Sequence, residues 1–181
     1  QSECNFVCDI PHAFVDSIGH VCVINDGICF VQPDCNQLAP DFPSDTSKLP
    51  RLEKVLVISQ EWGIAMYHGV LESLIKLGDV LSILHADESI HVHVPGQPDN
   101  PSILFPPMLS DLGIKPSRLV SGPIKADMLI YPRATPCMNP STRQLLKFRQ
   151  VIENTDCYRK YTSSHMKPNI LLVRRENGTS R

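Results

Sequence analysis

His68 and Glu72 are the two residues of this chain best suited to acid–base chemistry. They stand four positions apart in the stretch YHGVLES, so a helix would place both side chains on one face. A histidine held by a carboxylate can orient a sugar hydroxyl or remove its proton. Spacing alone favours a structural His–Glu contact, and a catalytic or substrate-orienting pair is the alternative interpretation.

Three arginines near the end of the sequence have the chemistry of a phosphate site. Arg174 and Arg175 directly follow an apolar run, and Arg181 comes after the turn-like stretch ENGTS. Guanidinium groups form paired hydrogen bonds with phosphate oxygens, a geometry that lysine cannot reproduce. The three side chains could cradle a diphosphate, and a solvated basic loop is the alternative.

Other candidate contacts are weaker. Trp62 and Tyr67 precede His68 closely in the sequence, and Arg133 directly follows an apolar stretch that ends at Pro132. Aromatic rings can support the apolar face of a sugar, and an arginine at the end of a strand can contact a ligand. Each of these residues could equally be an ordinary surface side chain.

His91 and His93 alternate on a predicted strand, a spacing that is also seen in metal sites. The sequence offers no identifiable acidic or histidine partner, so the pattern favours an exposed strand face and no metal site is predicted. Glycine-rich nucleotide-binding fingerprints, P-loops, G-x-S-x-G elbows and H-E-x-x-H motifs do not occur in the sequence.

The elements that would position these residues alternate along the chain. Apolar or alternating runs predict strands at 54–59, 89–94, 118–122 and 126–131, and helical spacing predicts helices at 65–84, 100–114 and 139–153. Strands that alternate with helices indicate βαβ units and a mostly parallel sheet. Ligands bind beyond the carboxyl ends of such strands, so residues 59–62, 95–96, 132–133 and 174–175 are the expected site.

The first 35 residues contain five of the seven cysteines and are expected to form short strands and turns. Cys22 and Cys29 flank VINDGI, in which Asp26-Gly27 is a hairpin turn signal, so a cross-strand disulfide is predicted. Asn177 begins an N-glycosylation triplet. Both features favour an oxidising compartment, and free thiols in a cytosolic protein are the alternative.

The composition excludes some classes of protein. A net charge of -2 and a pI of about 6.4 lack the basic footprint of a nucleic-acid-binding protein. No apolar run reaches the roughly 20 residues that a membrane-spanning helix needs.

Taken together, three stretches resemble glycosyltransferase family 61. They are WGIAMYHGVLESLIKL, DMLIYPRATPCMNPSTRQLLKFRQVI and NILLVRRENGTSR, in the family's order across residues 54–181. The resemblance implies the N-terminal lobe of a two-domain GT-B fold with Rossmann-like lobes. It implies inverting transfer from a nucleotide sugar, usually a UDP-sugar, to a glycan or glycoprotein hydroxyl, with no obligatory metal or other cofactor.

The resemblance also assigns roles and boundaries. His68 would contact the acceptor or act as the base, with Glu72 orienting it. Residues 1–53 would form a cysteine-rich hairpin segment and linker, residues 54–165 the acceptor lobe, and residues 166–181 the first strand and loop of a donor-binding lobe. The three arginines would be the first phosphate contacts of that second lobe, so this chain by itself is expected to be inactive. The location implied is the Golgi or endoplasmic reticulum lumen, behind an N-terminal anchor missing from this chain.

Two rival hypotheses remain at this stage. One is a secreted, disulfide-stapled module that binds carbohydrate or protein without catalysis. The other is a small intracellular α/β protein, in which all thiols would be free and Asn177 unmodified.

Overall fold

The fold is taken from a computed structural model. It describes residues 7–24, 27–30, 39, 42, 45–97, 100–101, 105–137 and 139–163. Arg174, Arg175, Asn177 and Arg181 lie outside the described residues, and the predictions made for them stay predictions.

Seven strands form one mixed sheet in the order β3-β2-β1-β9-β4-β5-β8. The strands are β1 (Val7–Val15), β2 (Val21–Val23), β3 (Cys29–Phe30), β4 (Arg51–Val57), β5 (His91–His93), β8 (Leu119–Val120) and β9 (Ile124–Pro132). A separate two-stranded hairpin pairs β6 (Gly96–Gln97) with β7 (Asn100–Pro101). The four strands β9, β4, β5 and β8 run parallel, whereas β1, β2 and β3 extend the sheet with antiparallel pairs.

The helical elements cover one face of the parallel strands. Helical residues 66–86 comprise α1 (Met66–His68), a π-helical turn (Gly69–Ser73), a 3-10 turn (Leu74–Lys76) and α2 (Leu77–Ala86), and later helices are α3 (Phe105–Asp111), α4 (Thr142–Glu153) and α5 (Asp156–Ser163). The prediction of an α/β protein with a Rossmann-like sheet is therefore confirmed. None of the helices in these residues is long and apolar enough to span a membrane.

Successive residues of β4, together with Ile58 directly after it, point alternately into two separate core clusters. Leu56 and Ile58 point into the cluster packed against the helices, whereas Val55 and Val57 point into the cluster shared with β1 and β2. Because both faces of this strand are covered, its apolar residues run without interruption, as expected for a parallel strand.

The predicted N-terminal hairpin is confirmed. Cys22 and Cys29 are direct partners in the β2–β3 pair and form a disulfide. Gly27 has a φ of 62°, a left-handed conformation that glycine adopts without a steric penalty. Cys137 also takes part in a disulfide, and Cys8 is an exposed free thiol.

The helix predicted at 100–114 is wrong at its start, because it begins at Phe105, whereas Asn100-Pro101 pairs in β7. Residues 66–86 are helical without interruption at Gly78, and the geometry changes earlier, at the π-helical turn. The polar stretch after residue 154 contains α5.

α4 buries a polar side chain and exposes two leucines. Leu145 and Leu146 are exposed, whereas the polar Gln144 is buried beside Phe148. Gln144 and Ser141 form a capping box at the start of the helix, and the Gln144 amide also donates to the hydroxyl of Thr135. A polar side chain with this set of hydrogen bonds can be buried at little cost.

Candidate functional site

Three strand exits meet at one edge of the sheet, as the sequence predicts. Val57 pairs with His93 at the end of β5, and Leu56 pairs with Ile130 near the end of β9. Residues 58–62, 94–96 and 133–135 therefore leave the sheet on the same side. Helical residues 66–86 begin directly above this edge.

The first turn after β4 is packed tightly against the exit of β5. A Cβ atom at Gly63 would lie 2.4 Å from Cγ of Pro95 and 2.8 Å from the carbonyl oxygen of Gln60. Only glycine fits this position without displacing backbone or ring atoms. The turn is thereby held over the edge of the sheet where the candidate residues lie.

His68 and Glu72 are in contact, as their spacing predicts. Nδ1 of His68 lies 2.8 Å from Oε1 of Glu72. The Glu72 side chain is almost fully buried, whereas about a fifth of the His68 side chain (19%) reaches solvent. A carboxylate can only accept, so Nδ1 carries the proton, and in the neutral tautomer Nε2 is then the basic nitrogen.

Gln60 connects this pair to the rest of the strand edge. Its amide nitrogen lies 3.5 Å from Oε2 of Glu72 and donates to the Thr135 carbonyl at 2.6 Å. Gln60 and Thr135 are both completely buried. Glu72 is therefore held between the helix and two strand exits, which limits the movement of the carboxylate that orients His68.

Lys76 continues the same helix face one turn beyond Glu72. Its side chain is buried, and Nζ donates to the carbonyls of Ile58 (3.3 Å) and Ser59 (3.1 Å). Burial lowers the pKa of the Lys76 ammonium to about 7, although the attraction of the Glu72 carboxylate raises it.

Ser59 and His93 form a second buried contact on the opposite face of the sheet. Nε2 of His93 lies 2.8 Å from the Gly122 carbonyl, which can only accept, so that nitrogen carries the proton. The Ser59 hydroxyl donates to Nδ1 of His93 at 2.5 Å. Burial lowers the pKa of His93 to about 4, against the favourable effects of the Gly122 carbonyl and of Asp16. The prediction of an exposed histidine face is therefore wrong for His93.

The aromatic candidates lie at the surface beside the histidine. Trp62 and Tyr67 are about half exposed, and the rings of Tyr67 and His68 meet edge to face with centroids 5.6 Å apart. Trp62 has a φ of 59°, which is unusual for a bulky residue. Ile64 and Met66, which the sequence analysis did not single out, are exposed in the same segment.

Arg133 is exposed and follows β9 at the same edge. In the described part of the chain, no group of three or more His, Cys, Asp or Glu side chains is arranged to hold a metal ion. The arginines predicted to bind phosphate are outside that part.

Sequence reasoning missed Gln60, Lys76 and Thr135. For Lys76 a signal was present, because His68, Glu72 and Lys76 recur at intervals of four and so share one helix face. Gln60 lies within the strand exit that was singled out, although its amide was given no role. No sequence pattern around Thr135 predicts its role, because its carbonyl accepts from Gln60 only through the pairing of β9 with β4.

Comparisons with protein-family models, with curated proteins and with solved structures give no match for this chain.

Proposed function

We propose that this chain is the acceptor-side lobe of an inverting glycosyltransferase that takes its sugar from a nucleotide sugar of the UDP class. The observation that supports the proposal best is the His68–Glu72 contact at the carboxyl edge of the parallel strands. A partly exposed imidazole oriented by a buried carboxylate is the arrangement that a general base requires. The edge where it lies is where such sheets bind ligands.

In the proposed reaction, the acceptor hydroxyl gives its proton to Nε2 of His68. Its oxygen forms a bond to the anomeric carbon of the donor sugar, on the face opposite the nucleotide. The bond from that carbon to the phosphate oxygen breaks, and its electrons leave with the nucleoside diphosphate. Glu72 stabilises the imidazolium that results, because its carboxylate is already bonded to Nδ1.

Trp62 and Tyr67 would form the platform for the acceptor sugar. Both rings are exposed and that of Tyr67 contacts His68, so they could cover the apolar face of a pyranose. Arg133 would contact the ligand from the exit of β9. Arg174, Arg175 and Arg181 would neutralise the departing diphosphate, and this role rests on the sequence resemblance.

The proposed location is the lumen of the Golgi or endoplasmic reticulum. The disulfide between Cys22 and Cys29 supports an oxidising compartment, because cytosolic proteins seldom retain such bonds. No obligatory metal is proposed, since cationic side chains would offset the charge of the leaving group.

The test uses the complete gene product that carries this chain. Release of UDP from a panel of UDP-sugars would be measured with mixed glycan and glycoprotein acceptors, for the wild type and for His68→Gln. Loss of a general base should lower the rate about 100-fold or more. His85→Gln is the matched control, because His85 is an exposed residue of α2 whose Nε2 contacts the Leu112 carbonyl, away from the strand exits.

Two results would contradict the proposal. One is full transfer activity in a folded His68→Gln protein. The other is a failure of the predicted phosphate site in calorimetry at fixed salt. Either the complete protein shows no detectable UDP binding, or wild type and Arg174→Ala bind UDP equally tightly.

The second candidate is a binding module without catalysis, which the exposed Trp62 and Tyr67 and the disulfide-stapled hairpin would also suit. Glycan binding without nucleotide separates the two candidates. A module should retain that binding in His68→Gln and lose it in Trp62→Ala.

A further inference from the structure

Lys76 is a buried ionisable residue that the proposed mechanism does not use. Its nearest acceptors are the neutral carbonyls of Ile58 and Ser59. An ammonium that leaves water without a compensating negative charge is costly. The side chain is nevertheless long enough to have reached solvent from a helix position, so its burial calls for a physical reason.

The compensating charge comes from Glu72, one helical turn earlier. Glu72 is itself almost fully buried, and its attraction favours the charged form of Lys76. The same carboxylate is bonded to Nδ1 of His68. Along one helix face, the negative Glu72 therefore lies between His68 and Lys76, each of which can carry a positive charge.

Lys76 also ties the helix to the strand exit. Its two carbonyl partners immediately precede Gln60, whose amide lies beside the second oxygen of Glu72. The ammonium thus acts on Glu72 in two ways, through its charge and through the placement of Gln60.

We propose that Lys76 is a positioning residue for the base, because its buried ammonium balances the charge of Glu72 and keeps the neutral ring of His68 with Nε2 free. The catalytic meaning of this inference rests on the proposed function. While Lys76 is charged, below its pKa of about 7, the carboxylate has a counter-charge and His68 need not become an imidazolium to supply one. Without it, the carboxylate would draw a proton onto His68 and the base would be blocked.

Other ionisable groups surround the row. Glu61 follows β4, His93 lies on β5, and the Asp79–Lys147 ion pair joins α2 to α4. His93 has a pKa of about 4 and stays neutral through the pH range in which His68 would be followed. Asp79 and Lys147 offset each other, so Lys147 is a suitable control lysine for Lys76.

The experiment follows the imidazole signals of His68 by NMR across pH in the full 181-residue chain. In Lys76→Met the midpoint of this titration should move up by about one pH unit, because loss of a nearby cation favours the imidazolium. Lys76→Arg keeps the charge and should stay close to the wild type. Lys147→Met removes a lysine that pairs with Asp79 and should leave the midpoint unchanged.

An unchanged His68 midpoint in folded Lys76→Met would overturn the inference. If that variant does not fold, the coupling is tested from the other side in His68→Gln, whose altered side chain is partly exposed. Because coupling is reciprocal, the titration of the Lys76 side chain should then move to higher pH, and an unmoved curve would overturn the inference.

The outcomes separate this inference from the proposed function. A shifted His68 titration together with absent sugar transfer in the complete protein would keep the Lys76 coupling and refute the transferase. Sugar transfer that depends on His68, together with an unshifted His68 titration, would support the transferase and refute the Lys76 coupling.

Discussion

Arg118 is a buried side chain that satisfies three backbone carbonyls between residues 84 and 90. Its guanidinium donates to the carbonyls of Ile90 (2.8 Å), Leu84 (3.0 Å) and Asp87 (3.0 Å). The side chain is buried, so water cannot replace these bonds. The sequence places Arg118 only at the start of a strand, and its role depends on the approach of the end of α2.

Arg118→Met is expected to lower the free energy of unfolding by about 3 kcal/mol, because buried carbonyls lose their donors. Urea unfolding measures the change. Arg149→Met is the control, since Arg149 forms a solvent-exposed pair with Glu153 that should contribute little to stability. Equal stability of the two variants would show that the carbonyls find other donors.

His93 should make stability depend on pH. Its pKa in the folded protein is about 4, below the ordinary value of 6.5, so the unfolded chain takes up the proton first as the pH falls. Stability is therefore lost between pH 6.5 and pH 4, by up to about 3 kcal/mol. Urea unfolding at several pH values should show this slope in the wild type and a shallower one in His93→Gln.

His91→Gln is the control for this pH series, because His91 lies on the same strand but is only partly buried. It should keep the slope of the wild type. An equally steep loss of stability in His93→Gln would assign the acid sensitivity to other groups.

At the scale of elements, the helical stretch 66–86 has two structural roles. Its first half contains the π-helical turn that holds Glu72, and its second half packs against α4. π-helical turns are rare and often occur at functional sites. The irregular half lies at the strand exits and the regular half lies in the core, so the geometry changes where the candidate site begins.

Gly78 illustrates the packing of the regular half. A Cβ atom there would lie 2.8 Å from Cβ of Lys147 and 2.9 Å from the backbone nitrogen of Phe148. Ala is favoured over Gly in a helix by about 1 kcal/mol. Overpacking against backbone costs about 1–3 kcal/mol, so the contact should dominate.

Gly78→Ala is therefore expected to destabilise the protein by about 1 kcal/mol, the difference between these two effects. Thermal or urea unfolding would measure it. Ser82→Ala, a substitution in the same helix outside this contact, is the control and should change stability little. A stabilised Gly78→Ala protein would mean that α4 can move away without cost.

At the scale of the whole molecule, the hairpin closed by Cys22 and Cys29 ends the sheet. The bond joins β2 to β3 at one edge, while β1 connects both strands to the parallel half. A disulfide lowers the entropy of the unfolded chain, and a loop of this length should contribute about 2 kcal/mol.

The double variant Cys22→Ser, Cys29→Ser should accordingly lose about 2 kcal/mol of stability. The comparison with the wild type is made without reductant, because Cys137 also takes part in a disulfide that a reductant would affect. Cys8→Ser, which removes an exposed free thiol, is the control. A double variant as stable as this control would contradict the expectation.

Much of the secondary structure could be predicted from local patterns. β4 is an apolar run, and the Cys22–Cys29 hairpin follows from a turn signal between two cysteines. Spacing likewise placed His68 and Glu72 on one helix face, where they are in contact. α5 was missed because its residues are polar, and hydrophobic periodicity gives no signal for such a helix.

The sequence by itself determined the α/β class, the hairpin disulfide and the His68–Glu72 contact, because each depends on residues close together in the chain. Only the tertiary structure decided which polar side chains are buried. Lys76 bonds to a strand exit, His93 bonds to Ser59 and Gly122, and Gln144 is buried while Leu145 is exposed. Burial and its effect on charge depend on which distant elements cover a residue, and periodicity along the chain does not contain that information.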